Sequence, residues 1–260
     1  MNPNITFSTC IYKLRSKFDI SIYQRWMTRF SNASFYNLVI YTNTELYDFV
    51  CSQFKHNFRI KVVKKELDDF YTYRYKTQWE ENHLKNKTLL HTGWELNMLW
   101  SEKIHFVNET ITKNYFNTDY YGWIDIGYFR EDYLENSSIL ERWPNPEKVN
   151  GLDKTKIYYA RVNNDENYFN HVERCVLTGQ RPPDDQVSIA GGFFILDKSK
   201  IKWWVETYDN KLQHYFDNHF LVKDDQIIII DCIFSNKDHF MLKTEKDRYD
   251  NWFMFTRLLG

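Results

Sequence analysis

An apolar segment that ends in a carboxylate and a glycine is the first feature with chemical potential. In Tyr120–Gly127 the run Tyr-Tyr-Gly-Trp-Ile leads directly into Asp125, and Gly127 follows two residues later. Open α/β sheets bind ligands at the carboxyl ends of their strands, and glycine lets a diphosphate or a metal approach the backbone. The alternative is an Asp that caps the next segment beside a turn glycine. Spacing alone leaves both interpretations open.

A pair of glycines lies within the apolar segment Ile189–Leu196. Gly191 and Gly192 could form a platform of bare backbone on which a sugar ring lies. The alternative is a β-bulge where another strand packs closely. Taken without the rest of the chain, the bulge is the better interpretation.

Two adjacent acids and an amide precede a second apolar run. Asp224, Asp225 and Gln226 lead into four consecutive isoleucines. Such acids could hold a substrate hydroxyl or act as a general base. They could equally cap the N-terminus of a helix and interact favourably with its dipole.

The last candidate is His239, with Lys243 and Lys246 after it. A neutral imidazole on a metal and ammonium groups on phosphates would suit a metal-bound diphosphate, whereas a surface histidine is the alternative. The other histidines form no HxxxH or HExxH pair, which disfavours a zinc hydrolase. The sequence also lacks P-loop, GxGxxG and GxSxG motifs, which disfavours those nucleotide-binding and hydrolase folds.

Glycine is scarce in this chain, so its positions are informative. The 260 residues include 8 Gly and 5 Pro and are 18% aromatic, whereas about 18 Gly would be average. This excludes collagen-like, linker-rich and low-complexity classes. Half of the glycines fall in the two motifs above: Gly122, Gly127, Gly191 and Gly192.

Charge and cysteine content narrow the class of protein further. A net charge of −1 lacks the electrostatic footprint of a dedicated nucleic-acid binder. Four widely spaced cysteines without a CxxC pair favour a reduced protein in the cytoplasm. No signal peptide and no apolar run long enough to span a membrane are visible. The bias toward Asn, Lys, Ile, Tyr and Phe indicates an AT-rich coding genome.

Apolar periodicity predicts alternating strands and helices that must position these residues. Strands are predicted over Thr6–Tyr12, Tyr36–Tyr41, Arg59–Val63, Tyr120–Ile126, Lys156–Arg161 and Ile189–Leu196. Helices are predicted over Ile20–Phe30, Glu45–Phe54 and Lys200–Phe216. The stretch Phe70–Tyr115, which includes Gly93–Val107, is predicted to be mostly helical, and loops are predicted over Trp143–Asp153 and Thr178–Gln186. Asp225–Phe234 fits a helix or a strand. The pattern predicts one α/β domain over residues 1–260, in which helices alternate with the strands of a parallel sheet.

These residues together resemble the HtrL/YibB family, which is glycosyltransferase-like and has members in bacteria and large DNA viruses. The resemblance spans most of the chain in order and is carried by Thr9–Tyr12, Tyr23, Trp26, Lys103, Tyr121–Arg130, Gly191–Phe194 and Asp225-Gln226. If the source is viral, the expected location is the host cytoplasm or the viral factory.

The resemblance implies a GT-A fold, Rossmann-like, with a mixed, mainly parallel sheet flanked by helices. A nucleotide-sugar-binding half would lie at residues 1–130. Residues 131–260 would form the acceptor-binding and C-terminal metal and phosphate half. In GT-A proteins an Asp-x-Asp motif and a C-terminal His bind Mn²⁺ or Mg²⁺ with the diphosphate of the sugar nucleotide. Asp125 matches a motif Asp, and His239 with Lys243 matches the C-terminal element. Gly127 stands where the second Asp is expected, and fewer carboxylates bind a metal more weakly.

The function implied is transfer of a sugar from a nucleotide-diphosphate donor, a UDP-sugar, to a hydroxyl of a glycan, protein or lipid-linked acceptor. Thr9, Tyr12 and Arg15 would hold the nucleotide, and Asp125 with His239 the metal. Lys243 or Arg130 would bind phosphate, and Lys103 would be a further residue that binds the sugar nucleotide. Gly191 and Gly192 would shape the sugar pocket, and Asp224, Asp225 and Gln226 would act as base or hold the donor sugar. Inversion or retention at the sugar stays open.

Two other functions are compatible with the sequence. The first is a non-catalytic glycan-binding protein that kept the fold and lost the second Asp. The second, weaker one is a metal-dependent phosphoesterase built on Asp125, Asp224 and Asp225. The donor sugar, the acceptor and the oligomeric state are not specified by any of these patterns.

Overall fold

The computed structural model describes residues 4–32, 35–86, 92–131, 140–245 and 250–260. At its centre the described strands form a seven-stranded sheet in the order β3-β2-β1-β4-β6-β5-β7. The strands are β1 Ile5–Ile11, β2 Asn37–Thr42, β3 Ile60–Lys64, β4 Tyr120–Ile124, β5 Ile157–Ala160, β6 Phe193–Asp197 and β7 Phe240–Lys243.

Strand direction determines which residues meet at one edge of the sheet. Of the described strands, β6 alone runs against the others, pairing antiparallel with both β4 and β5. The remaining pairs are parallel. The carboxyl ends of β1, β4, β5 and β7 and the start of β6 therefore share one edge, which we call the carboxyl edge. The predicted α/β class with a mixed, mainly parallel sheet is confirmed.

Helices cover both faces of the sheet. They are α1 Ile20–Thr28, α2 Thr44–Gln53, α3 Lys76–Lys85, α4 Trp94–Thr112, α5 Pro146–Asn150, α6 Glu166–Leu177, α7 Ile201–Asp217, α8 Asp225–Ser235 and α9 Met254–Leu258. Helices α3, α4, α6, α7 and α8 pack on one face, and α1, α2, α5 and α9 on the other. Side chains alternate between these cores along each strand, as in β1, where Phe7 and Cys10 face opposite ways. None of the described helices combines the length and apolarity that a membrane span needs.

One sheet runs through both halves that the sequence suggested. Strand β4, the last of residues 1–130, pairs with β6 over five residues, from Tyr120 opposite Asp197 to Ile124 opposite Phe193. Gly122 lies opposite Ile195 in this ladder, and a Cβ there would lie 2.1 Å from the Phe194 carbonyl oxygen. The absence of a side chain at Gly122 is thus a packing requirement of the β4–β6 pair.

Several element boundaries differ from the sequence prediction. The segment predicted as one strand, Ile189–Leu196, is interrupted at the glycine pair, so that β6 starts only at Phe193 and Ile189 makes an isolated bridge to Arg161. Within the predicted loop Trp143–Asp153, helix α5 forms because Asn145 caps it and proline occupies its first turn. The ambiguous segment at Asp225 is a helix, whereas α6, β7 and α9 have no counterpart in the prediction.

Candidate active site

A cavity of about 750 Å³ opens at the carboxyl edge. Its floor combines the end of β1, the Asp125 that follows β4, the glycine pair before β6 and the first residues of α8. Helices α1 and α4 contribute the walls. Six parts of the chain, from β1 to α8, therefore meet at the edge where open α/β sheets bind ligands.

The ammonium group of Lys103 contacts three parts of the cavity lining. Its Nζ is 3.2 Å from Asp125 Oδ1 and 3.0 Å from Asp225 Oδ2. It also donates a hydrogen bond of 2.9 Å to the carbonyl oxygen of Gly191. One cation from α4 thus joins the carboxylate after β4, the carboxylate at the start of α8 and the backbone before β6.

Burial and charge act on this cluster in different directions. Burial raises the pKa of Asp225 to about 7, and Lys103 opposes that rise while the Asp224 and Asp125 carboxylates add to it. Burial by itself would lower the pKa of Lys103, but the attraction of the Asp125 and Asp225 carboxylates outweighs it and the pKa is raised. Lys103 therefore stays charged at neutral pH, whereas Asp225 can exchange a proton there.

Asp125 is held in a defined orientation. Its Oδ1 accepts a hydrogen bond of 2.6 Å from the Trp123 indole nitrogen, and its backbone N–H donates to the Gly192 carbonyl oxygen at 2.8 Å. Its side chain is 41% exposed, so the carboxylate is supported from below and open to the cavity. Strand β4 ends at Ile124, two residues earlier than predicted, and Asp125 follows directly.

The glycine pair is shaped around the two carboxylates. A Cβ on Gly191 would lie 2.8 Å from both carboxylate oxygens of Asp225, and one on Gly192 would lie 3.0 Å from Asp125 Oδ2. Gly127 has a different neighbour, because a Cβ there would lie 2.8 Å from the Trp26 ring. The space beside Gly127, which the sequence suggested for a diphosphate or a metal, is occupied by that indole.

The start of α8 is fixed by buried amides. Asn82 and Asn97 each donate a hydrogen bond of 2.8 Å to the carbonyl oxygen of Val222. Asp224 caps α8 by accepting from the Ile227 N–H at 3.2 Å. Burial raises the pKa of Asp224, with the neighbouring Lys223 opposing. The capping interpretation therefore applies to Asp224, whereas the next acid, Asp225, faces Lys103.

Aromatic rings and cations form the rest of the cavity surface. Tyr23 and Trp26 pack edge-to-face from α1, and the guanidinium of Arg130 lies 4.5 Å from the ring centre of Phe253. Further lining residues that the site prediction omitted are Lys17, Trp100, Lys223 and Trp252. Tyr23 and Trp26 carried a signal, an aromatic pair at helical spacing, but such pairs usually pack in a core.

Nine of the thirteen predicted site residues line this cavity: Tyr12, Lys103, Asp125, Arg130, Gly191, Gly192, Asp224, Asp225 and Gln226. Thr9 does not, because it is fully buried within β1 opposite Ile40. Arg15 is exposed outside the lining. Lys243 ends β7, three strands from β4, with its Nζ 5.9 Å from the Tyr158 ring. Lys246 lies outside the described residues.

His239 is not brought near Asp125. It immediately precedes β7, which runs in the same direction as β4, so it lies at the edge opposite the residue that follows β4. There its ring stacks on Trp203 with centroids 3.9 Å apart. The predicted metal pair of Asp125 and His239 is therefore not assembled.

The remaining residues do not fit a divalent metal at the cavity floor. The described residues contain no group of three His, Cys, Asp or Glu side chains arranged to hold an ion. The two carboxylates that approach each other, Asp125 and Asp225, have the Lys103 ammonium between them. A second cation at that point would be repelled by the first.

Comparison with known protein families identifies the chain. The family model "Bacterial protein of unknown function (HtrL_YibB)" matches residues 11–259. The chain belongs to the HtrL/YibB family. The resemblance inferred from the sequence motifs is thereby confirmed, and the motif residues Lys103, Asp125, Gly191 and Asp225 are the ones that meet at the cavity floor.

Among solved structures, this HtrL/YibB member is similar to the crystal structure of mouse xyloside xylosyltransferase 1 in its apo form. The two share 12% sequence identity with a TM-score of 0.46, and the match covers 94% of this chain and 85% of the mouse chain. A search of curated proteins found no match.

Proposed function

We propose that this HtrL/YibB protein is a glycosyltransferase. It would move a sugar from a nucleotide-diphosphate donor, for which we propose a UDP-sugar, to a hydroxyl of a glycan, protein or lipid-linked acceptor. The observation that carries the proposal is Asp225, a buried acid with a pKa raised to about 7, held by Lys103 beside Asp125 at the floor of an aromatic cavity. Perturbed acids in a cleft are characteristic of active sites.

The cavity suits a ligand that combines flat rings with negative charge. Its volume of about 750 Å³ falls within the usual range for small-molecule sites. Tyr23, Trp100 and Trp252 offer faces or edges for a nucleobase and a sugar. Arg130 and Lys17 provide cations for a diphosphate. These residues support nucleotide-sugar binding without identifying the sugar.

The chemical step assigned to the floor is a substitution at the anomeric carbon. The acceptor hydroxyl oxygen bonds to that carbon, the bond from the carbon to the diphosphate oxygen breaks, and the diphosphate leaves with the electron pair. With a pKa of about 7, Asp225 could take the hydroxyl proton at neutral pH. Asp224 and Gln226 flank it and would orient the donor sugar. Nuclear magnetic resonance of the product would establish inversion or retention.

The direct test is thermal stabilisation by a panel of nucleotide diphosphates and nucleotide sugars, with and without Mn²⁺. We expect a uridine nucleotide to raise the melting temperature. The aromatic and cationic groups of the cavity come together only in the folded state, so the nucleotide binds that state and stabilises it. If no nucleotide raises it under either condition, the donor-binding proposal is wrong.

A matched pair of variants then tests the site. Asp125→Asn should abolish hydrolysis or transfer of the donor and leave the melting temperature near that of the wild type. Asp119→Asn is the control, because Asp119 lies at the other end of β4 with a side chain 43% exposed, close to the 41% of Asp125. Equal activity in both variants would remove Asp125 from the site.

A non-catalytic glycan-binding protein is the second candidate, and the aromatic cavity lining favours it as much as the first. It predicts stabilisation by glycans and none by nucleotides in the same panel. A phosphoesterase is less well supported, because its metal would need Asp125, Asp224 and Asp225 together and the described residues form no such three-ligand group.

A further inference from the structure

The position of the Lys103 ammonium has the coordination of a small bound cation. Three oxygens from three different elements surround it at 2.9–3.2 Å: the Gly191 carbonyl, Asp225 Oδ2 and Asp125 Oδ1. Carboxylate and carbonyl oxygens are also the ligands that hard divalent cations take in proteins. The same three oxygens could hold such a cation if the ammonium were removed.

We propose that Lys103 is the resident cation of this cavity and takes the place of a divalent metal. It neutralises part of the charge of Asp125 and Asp225, joins the glycine pair to α8 and leaves no room for an ion between the carboxylates. Where this inference concerns donor binding it rests on the proposed function, and it predicts that donor binding needs no divalent metal.

The setting of Lys103 makes it a fixed part of the floor. Its side chain is 6% exposed and lies on the long helix α4, so its position is set by core packing. Gly191 is essential to the arrangement, because a Cβ there would lie 2.8 Å from both Asp225 oxygens. Within the described residues Asp225 Oδ2 has no hydrogen bond, so the Lys103 charge at 3.0 Å is what compensates it.

The other lysine on the floor provides a contrast. Lys223 Nζ is 3.6 Å from one carboxylate, Asp224, and donates a hydrogen bond of 3.0 Å to the Gln186 carbonyl oxygen. It therefore joins one acid to the backbone and bridges no pair of acids. Removing Lys223 opens no two-carboxylate site, which makes Lys223→Ala a matched control for Lys103→Ala.

The experiment is a titration with Mn²⁺ alone, followed by electron paramagnetic resonance of the free ion. We expect the wild type and Lys223→Ala to leave the ion free, whereas Lys103→Ala should bind it at least about tenfold more tightly. The double variant Lys103→Ala with Asp225→Asn should lose that binding. Wild-type binding that Asp125→Asn abolishes would overturn the proposal, and so would Lys103→Ala that folds but binds no better than the wild type.

Two further measurements keep the test decisive. If Lys103→Ala is poorly folded, its melting temperature should rise with Mn²⁺ while that of Lys223→Ala does not, and no rise would count against the proposal. Uridine diphosphate should stabilise the wild type equally in Mn²⁺ and in EDTA, and a requirement for Mn²⁺ would overturn it. No stabilisation in either condition would refute the proposed function and leave the Lys103 inference to the Mn²⁺ titration.

Discussion

Two lysines, the half-buried Lys65 and the buried Lys103, each lie near two carboxylates, yet their surroundings differ. Lys65 Nζ is 2.5 Å from Glu109 and 3.7 Å from Glu102. Glu102 also accepts hydrogen bonds from the backbone N–H groups of Tyr71 and Thr72 and from the Thr72 hydroxyl, at 2.8–3.0 Å. Each charged group in this first cluster has an ion-pair partner, and Glu102 has hydrogen-bond donors as well.

The second cluster, around Lys103, stays incomplete. Asp225 Oδ2 has no hydrogen bond within the described residues, and Asp125 is 41% exposed to the cavity. Glu102 and Lys103 are consecutive on α4, so their side chains point about 100° apart. Two consecutive residues of α4 therefore belong to different clusters. Glu102 belongs to one in which its carboxylate is fully hydrogen-bonded, and Lys103 belongs to one that is open to the cavity.

The largest effect should come from opening the closed cluster. Glu102→Ala leaves buried donors without an acceptor, so we expect it to lower the free energy of unfolding by about 3–5 kcal/mol. Asp125→Ala should cost about 1 kcal/mol, because it removes the hydrogen bond from Trp123 while Lys103 keeps its contacts with Asp225 and the Gly191 carbonyl oxygen. Urea denaturation of both variants measures the difference, and equal losses would contradict the distinction between the clusters.

Activity should show the reverse order. Asp225→Asn removes the proton acceptor assigned to the floor, so we expect turnover of the donor to fall by about 10²-fold or more. Glu102→Gln keeps the shape of its side chain away from the cavity and should keep most of the turnover in the same assay. A larger loss in Glu102→Gln would mean that the first cluster also serves catalysis.

Stability should depend on pH through Asp225. Its pKa is raised to about 7 in the folded state from about 3.9 in an unfolded chain, so the folded state binds the extra proton between these values. Stability from this group therefore falls as the pH rises through that window. As the pH rises from 5 to 8, the free energy of unfolding of Asp225→Asn should increase by about 2 kcal/mol relative to that of the wild type.

The control for this pH dependence is Asp119→Asn. The hydrogen bond from Lys154 lowers the pKa of Asp119, so its contribution is present above the unfolded pKa and is lost only as the pH falls below it. Urea denaturation at both pH values should give a flat difference for Asp119→Asn. A flat difference for Asp225→Asn as well would remove its assignment as the titrating acid.

The smallest effect should come from a single methyl group. Gly191→Ala places a Cβ 2.8 Å from both Asp225 oxygens, so we expect the carboxylate to shift and turnover to fall about tenfold. Gly179→Ala meets no atom within 4 Å but has a φ of +78°, so it should cost about 1 kcal/mol of stability and leave turnover unchanged. Turnover and urea denaturation of the two variants measure this contrast.

The sequence predicted the framework better than the partners within it. Apolar periodicity was enough for β1, β2 and β4, and the position of Asp125 followed from the end of a strand. The contact between Asp125 and Lys103 could not be predicted from spacing, because α4 is buried over most of its length and periodicity does not show which buried position faces the cavity. Lys103 was identified by family resemblance alone.

His239 shows a second limit of the sequence. Whether a residue before a strand joins the site depends on the direction of that strand in the sheet, and β7 itself was not predicted. Its parallel pairing with β5 puts His239 at the edge opposite Asp125. Gly127 illustrates the same point at shorter range, because Trp26 fills the space beside it and only the tertiary fold brings that ring there.

The hydrogen bond from Trp123 to Asp125 has an experimental consequence. The Trp123 indole is 1% exposed, and its N–H points at the carboxylate that borders the cavity. Any ligand that draws charge away from Asp125 will change the electronic environment of that ring. The fluorine resonance of labelled Trp123, assigned with a Trp123→Phe sample, would therefore report whether a ligand occupies the cavity.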